Sequence, residues 1–243
     1  MNEKNNLQIS AAILGISFLI VAIILAWTWK SNYNSNQTIT VTGSAKKDIV
    51  SDLAILKGTL SAEAPTAEAA YKEMEKEKPA LIAYLNAKGF SKDKIEFSTI
   101  NSYPIFEMGA NGYQTNNVKA YNYNQRIQIQ SNDVYKIKEI SIDIASLIEK
   151  GVNFKVDVPE YYYTKLAEVK IEIQAEAAKD AKVRAEKVAE ATGGTIGPMK
   201  DARMGVLQIT PKYSNQVSDY GINDITSIEK QITAVVSASF KIE

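Results

Sequence analysis

Three hydrophobic patterns follow one another along the chain. The first is a block with no polar face. Leu7 to Trp29 reads LQISAAILGISFLIVAIILAWTW, and no charge occurs from Asn5 to Trp29. As a helix the block is about 35 Å long at roughly 1.5 Å per residue, enough for a hydrocarbon core of about 30 Å. Trp27 and Trp29 close it and Lys30 follows, as at a membrane interface. A cleaved leader needs a shorter apolar core and small residues before the cut. The bulky Ala26-Trp27-Thr28-Trp29 end favours an uncleaved anchor instead. The second pattern has a period of two. Thr38–Thr42 (TITVT, ended by Gly43), Leu53–Ala62 with Gly58 as a bulge or close approach, Lys94–Phe106, Val118–Gln130, Val152–Tyr163, Val206–Thr210 and Gln231–Ile242 read as strands. The third has the helical period. A helix opens at Pro65-Thr66 and stops near Gly89, with Pro79 expected to kink or split it. A second covers Val134–Lys150, with Ile137, Ile140, Ile144, Leu147 and Ile148 on one stripe. The third and longest runs from Lys165 to about Thr192 and ends at Gly193-Gly194.

This order predicts an α+β fold: a transmembrane helix, then a mixed or antiparallel sheet packed with about three helices. Residues 52–163 read β-α-β, hairpin, β-α-β, the split βαβ arrangement of ferredoxin-like units. Pro159 inside the Val152–Tyr163 strand suggests a sheet edge. The division is 1–30 for tail and anchor, 31–37 for a polar linker (SNYNSNQ) and 38–243 for one ectodomain.

Composition narrows the chemistry. The chain has no Cys and no His. Disulfides, thiol nucleophiles, His-based triads and Cys/His metal sites are therefore excluded. Lys plus Arg balances Asp plus Glu at 28 each, so no global field points to nucleic acid. Three S-x-x-K matches occur, Ser44/Lys47, Ser91/Lys94 and Ser227/Lys230. The S-D-N and K-T-G partners of serine–lysine enzymes are missing, and chance accounts for the matches. No phosphate loop and no dinucleotide fingerprint is present. The reading is no catalysis and no cofactor.

What remains are surfaces. The long helix carries Ala177, Ala181 and Ala185 beside Arg184. Such small residues let another backbone approach, either its own sheet or a neighbouring subunit. Tyr161 and Tyr163 share one face of a strand and form a candidate platform, with plain aromatic cover of an edge as the alternative. Pro211–Lys230 (PKYSNQVSDYGINDITSIEK) is long, polar and poor in bulk; such segments are functional or mobile. Its candidate contact residues are Tyr213, Tyr220, Asn223 and Asp224. Gly109–Asn117 (GANGYQTNN) is a second uncharged loop.

Taken together, the pieces resemble the SIMPL-domain family of bacterial envelope proteins. The opening ITVTGSA, the helix AEAAKDAKVRAEKVAEATGG (Ala175–Gly194) with Ala177, Asp180, Ala181, Arg184, Ala185 and Ala189 in register, and the terminal VVSASFKIE carry the resemblance. The segments PEYYYTKLAEVKIEIQAEA and ARMGVLQITP with SDYGINDITSIEKQITAVV are similar to a membrane-anchored subgroup. The resemblance implies a secreted, periplasmic or membrane-tethered protein, and at least one member forms a ring-like oligomer. No catalytic residues carry over. The expectation is a single-pass protein of the bacterial cytoplasmic membrane, anchored through Leu7–Trp29, with a periplasmic domain that self-assembles as a homo-oligomer. The alternatives are a monomeric tethered binding module for an envelope protein or ligand and, third, an enzyme that uses carboxylates.

Overall fold

The computed structural model describes residues 3–35 and 37–243, with side chains described for 13–29 and from 37 onward. α1 (Glu3–Ser35) contains the apolar block. Ile13, Phe18, Leu25, Trp27 and Trp29 are all more than half exposed. Among the described residues no helix is long and apolar enough to cross a membrane. The first six residues of the expected span, Leu7–Ala12, lie outside the described side chains.

The chain falls into two compact units, α1 belonging to the first. One comprises the chain up to Lys46, Lys170–Leu207 and Thr233–Glu243; the other comprises Lys47–Val169 and Gln208–Ile232.

In the first unit the long helix α4 (Leu166–Ala191) covers strands β1 (Thr38–Val50), β10 (Glu229–Ile242) and β7 (Ile196–Met204). β10 lies between β1 and β7, antiparallel to the latter. Gly43 was expected to end the first strand, but β1 runs straight through it. The glycine is there for close approach. A Cβ at Gly43 would stand 2.2 Å from the Ala181 nitrogen and 2.3 Å from the Ala177 oxygen. The helix backbone therefore rests on the strand backbone. Ala177, Ala181 and Ala185 are fully buried, and Ala181 and Ala185 pack with Ala238 and Phe240. The alanine stripe faces the protein's own sheet. Asp180 fixes the register: its Oδ2 accepts from the Ser44 amide at 2.8 Å and from Arg184 Nε at 2.7 Å. β7 escaped the sequence reading because IGPMKDARM shows no alternation; it is an almost wholly exposed edge.

The second unit holds β2 (Leu53–Ala64), α2 (Ala67–Ala87), β3 (Ile95–Met108), β4 (Gln114–Ser131), α3 (Val134–Asp143), β5 (Phe154–Val156) and β6 (Glu160–Tyr162). The sheet order is β3-β4-β2-β5, with β6 also on β2 and each pairing antiparallel. This is the split βαβ arrangement expected from residues 52–163. The Thr66 hydroxyl caps α2 and the Asp133 carboxylate caps α3, as Ser/Thr/Asp do at helix starts. Pro79 lies inside α2, which nevertheless continues to Ala87 as one element. α3 is shorter than its apolar stripe predicts: Ile144–Lys150 tightens into a 3-10 helix, ended by Gly151 at φ +73°. Both helices bury their apolar stripe on one core with Leu60, Met74, Leu81, Ile137, Ile140 and Phe154. Gly58 is a close approach without a bulge, since a Cβ there would meet the Phe154 ring at 2.2 Å while the β2–β4 register stays continuous. Pro159 separates β5 from β6, and both lie on the edge, as expected. β8 (Gln208–Pro211) pairs with β10, and the two-residue β9 (Ile222–Asn223) pairs with β8 in parallel. The hairpin joining β3 and β4 is longer than expected, its turn reduced to Gly109–Tyr113.

Candidate binding surface

The segment between β8 and β10 is irregular and anchored at Lys212, at Ser218 and over 224–228. Gln208 is buried and its amide behaves like an extra strand: Nε2 donates to the Ser218 carbonyl at 2.7 Å and Oε1 accepts from the Ser218 amide at 3.3 Å. The Asp224 amide donates to Ile209, Lys212 to Glu229, Ser51 to Ile228 and Tyr161 to Ile225, all within 3.2 Å. Lys212 pairs with Asp48 at 3.1 Å. Between these anchors, over 213–217, the main chain makes only local bonds among the described residues: Ser214 to the Pro211 carbonyl and Gln216 to the Ser214 hydroxyl.

Its side chains behave oppositely. Tyr220 is 97% exposed, Tyr213 84% and Val217 80%. Tyr213 has φ +66°, the left-handed region that costs a non-glycine residue about 1–2 kcal/mol. The Lys212 ammonium lies 5.3 Å from the centroid of its ring. A strained backbone on a tied loop thus holds large side chains in water.

Lys230 lies beneath the loop. It is 2% exposed, and its ammonium donates to the carbonyls of Tyr161, at 2.6 Å, and Asp224. Burial pushes the Lys230 pKa down from the usual lysine range, against the attraction of Asp224. In Asp224, burial raises the carboxyl pKa. The Thr226 amide and hydroxyl, the nearby Ser227 hydroxyl and Lys230 outweigh it, and the net shift is downward. Thr226 bonds Oδ1; Oδ2 is buried without a hydrogen-bond partner among the described residues. Lys230 spends its donors on main-chain carbonyls. The Ser227/Lys230 match is therefore a structural clamp, with no serine–lysine hydrogen bond among the described residues.

The other expected site residues divide clearly. Tyr161 is buried in the core of the second unit, and that burial raises its pKa. It is core cover rather than an open platform. Tyr163 is half-buried. Between them Tyr162 donates to Glu160, which also accepts from Lys57 at 2.7 Å; the Lys57 and Tyr162 bonds hold the Glu160 carboxyl below its usual range. Asn223 is exposed on β9. Ala177, Ala181 and Ala185 offer nothing to a neighbour, because they are covered by β1 and β10. Arg184 is exposed but bonded to Asp180. Tyr213, Tyr220, Asn223 and Asp224 share the loop; the alanines belong to the other unit. The sequence reading missed Lys230 and Gln208. Lys230 had a visible signal, since it falls in phase with Ile232, Ala234, Val236, Ala238 and Phe240, the inward positions of β10. Gln208 had none. Among the described residues no acidic cluster could hold a metal ion.

The family model described as SIMPL, a protein of unknown function (DUF541), matches residues 39–240. The chain belongs to the SIMPL family. The match begins in β1 and ends in β10, so it takes in the second unit whole and the first unit apart from α1 and the chain's last residues. A comparison with curated proteins finds no match.

Proposed function

We propose that this SIMPL protein is a non-enzymatic binding module tethered to the bacterial cytoplasmic membrane, with the Pro211–Gly221 loop as its contact surface for a protein of the envelope. The observation that carries this reading is the pairing of a loop anchored at Lys212 and Ser218 with exposed aromatic side chains. Rigid tyrosines give large contact area at low entropic cost, and Ser, Asn and Gly around them supply adaptable hydrogen bonds. The loop's PKYSNQVSDYG has that composition. The tether rests on α1, whose side chains from Ile13 to Trp29 stand exposed and uncharged, together with the full apolar length of Leu7–Trp29. Self-assembly is the second reading. The burial of the alanine stripe removes the argument that made α4 a subunit interface, and the free edges β3 and β7 each carry a proline, Pro104 and Pro198, a usual guard against edge pairing.

A photo-crosslinking residue placed at position 220 in the full-length protein in cells tests the reading, with position 142, exposed on α3, as control. A discrete crosslinked protein at 220, absent at 142 and lost on Tyr213→Ser, is expected. A crosslink only to a second copy would replace this reading with self-assembly. Equal smears at both positions would end it. Alkaline extraction of the membranes checks the tether: release of the protein into the soluble fraction would refute an integral anchor.

A further inference from the structure

The second unit carries a polar cleft of about 520 Å³ between the Gly89–Glu96 segment and the Gln130–Lys136 segment. This is within the usual range for small-molecule sites, roughly 300–1,000 Å³. It plays no part in the loop described above. Phe90, almost fully buried, supplies its floor. The Lys136 ammonium lies 5.3 Å from the Phe90 ring centroid, a cation–π distance. Its seat is open because residue 89 has no side chain; a Cβ there would meet Lys136 Nζ at 2.9 Å.

The charges lining the cleft are unequally engaged. Asp133 is spent as the cap of α3, accepting from the Lys136 amide at 3.0 Å. Glu96 accepts from Gln128 at 3.2 Å. The Ser91 hydroxyl and its own amide hold the Asp93 carboxyl below its usual range. Asn132 is bonded to the Asp52 carbonyl. Lys94 and Lys136, by contrast, have no ion pair among the described residues. Two lysines, Lys136 over the Phe90 ring and Lys94 beside Asp93, therefore share the cleft with three carboxylates. A ligand of one sign finds counter-charges here for part of the lining alone, whereas a ligand carrying both signs can use lysine and carboxylate together.

We propose that this cleft binds a small zwitterion of the amino-acid or dipeptide class, its carboxylate on Lys136 and Lys94 and its ammonium on the acidic side of Asp93 and Glu96. The probe is L-alanyl-L-alanine, compared with its N-acetyl form, which keeps only the carboxylate, and its C-terminal amide, which keeps only the ammonium. Full-length protein in micelles, labelled with 15N at glycine and lysine, is titrated. The expected result is saturable shifts of the Gly89, Lys94 and Lys136 amides with the dipeptide, at least tenfold weaker binding of both single-charge forms, and at least tenfold loss in Lys136→Gln. Lys94→Gln serves as the second variant should the first fail to fold. Absence of saturable shifts up to about 20 mM, equal binding of all three probes, or unchanged binding in the folded variants would each overturn the assignment.

Discussion

Replacing Lys230 by Met tests the clamp beneath the loop directly. Methionine fits the volume but donates nothing. The carbonyls of Tyr161 and Asp224 then lose their partner in a site where Lys230 itself is 2% exposed. An orphaned buried acceptor costs about 1–3 kcal/mol. Removing the ammonium also recovers part of the cost of burying a charge, which is several kcal/mol, but it leaves the Asp224 carboxylate without its cation. The net expected loss is about 2–4 kcal/mol, or roughly 4–16 °C in melting temperature at about 2–4 °C per kcal/mol for a domain of this size. Urea unfolding followed at several pH values is the assay. Its pH dependence carries the sharper signature. Burial lowers the folded-state pKa of Lys230, so between that value and the unfolded pKa of about 10.4 the unfolded chain binds more protons. Stability contributed by this group therefore rises with pH through that window. The rise should be present in the wild type and missing in the variant. A Lys230→Met protein as stable as the wild type, or one with the same alkaline slope, would refute the clamp.

Gly43→Ala should destabilise by about 3 kcal/mol or more in thermal unfolding, because the new Cβ meets helix backbone at 2.2 Å and overpacking against backbone exceeds the usual 1–3 kcal/mol. Tyr213→Gly should raise stability by up to about 1 kcal/mol, relief of left-handed strain less the entropy of glycine, while weakening the crosslink at position 220; unchanged crosslinking would separate Tyr213 from the contact surface. Asp224 has a lowered carboxyl pKa, so its contribution is full above about pH 3.9 and lost as pH falls through the folded value. Asp224→Asn should flatten the acid limb of an unfolding curve. Asp180→Ala should lower the melting temperature through loss of the Ser44 bond, and restoring it in Asp180→Asn should fail only in part.

The ferredoxin-like unit was legible where its elements keep one period, in β2 and along the apolar stripe of α3. Ile137, Ile140, Ile144 and Leu147 name the buried face of a helix, and the phase of β2 and β4 names the inner face of a sheet. The ends that shifted did so for tertiary reasons. Gly43 reads as a stop because glycine usually is one, yet here it admits a helix that the local sequence cannot show. β7 was hidden because an edge strand exposed on both faces needs no alternation. The candidate loop was legible by its composition, and Tyr213 and Tyr220 are indeed its outermost side chains. Its anchor at Ser218 was not legible, because it depends on the Gln208 amide imitating a strand. Tyr161 went the other way: a tyrosine run says nothing about which ring the core takes.

Where the family resemblance resides explains why it is silent about function. ITVTGSA and the Ala–Asp–Ala–Arg–Ala helix are two halves of one seam. Gly43 gives the space, Ala177 and Ala181 fill it without excess, and Asp180 locks it by bonding Ser44 and Arg184. In this chain those residues serve the packing of the first unit, so the motif reports a seam and not a contact. A contact surface must meet the opposite condition, side chains that pack against nothing of their own. Tyr213, Val217 and Tyr220 come nearest to it, on a segment anchored at Lys212 and Ser218. The functional differences between such domains should therefore be sought in the segment between β8 and β10 rather than in the residues that identify the family.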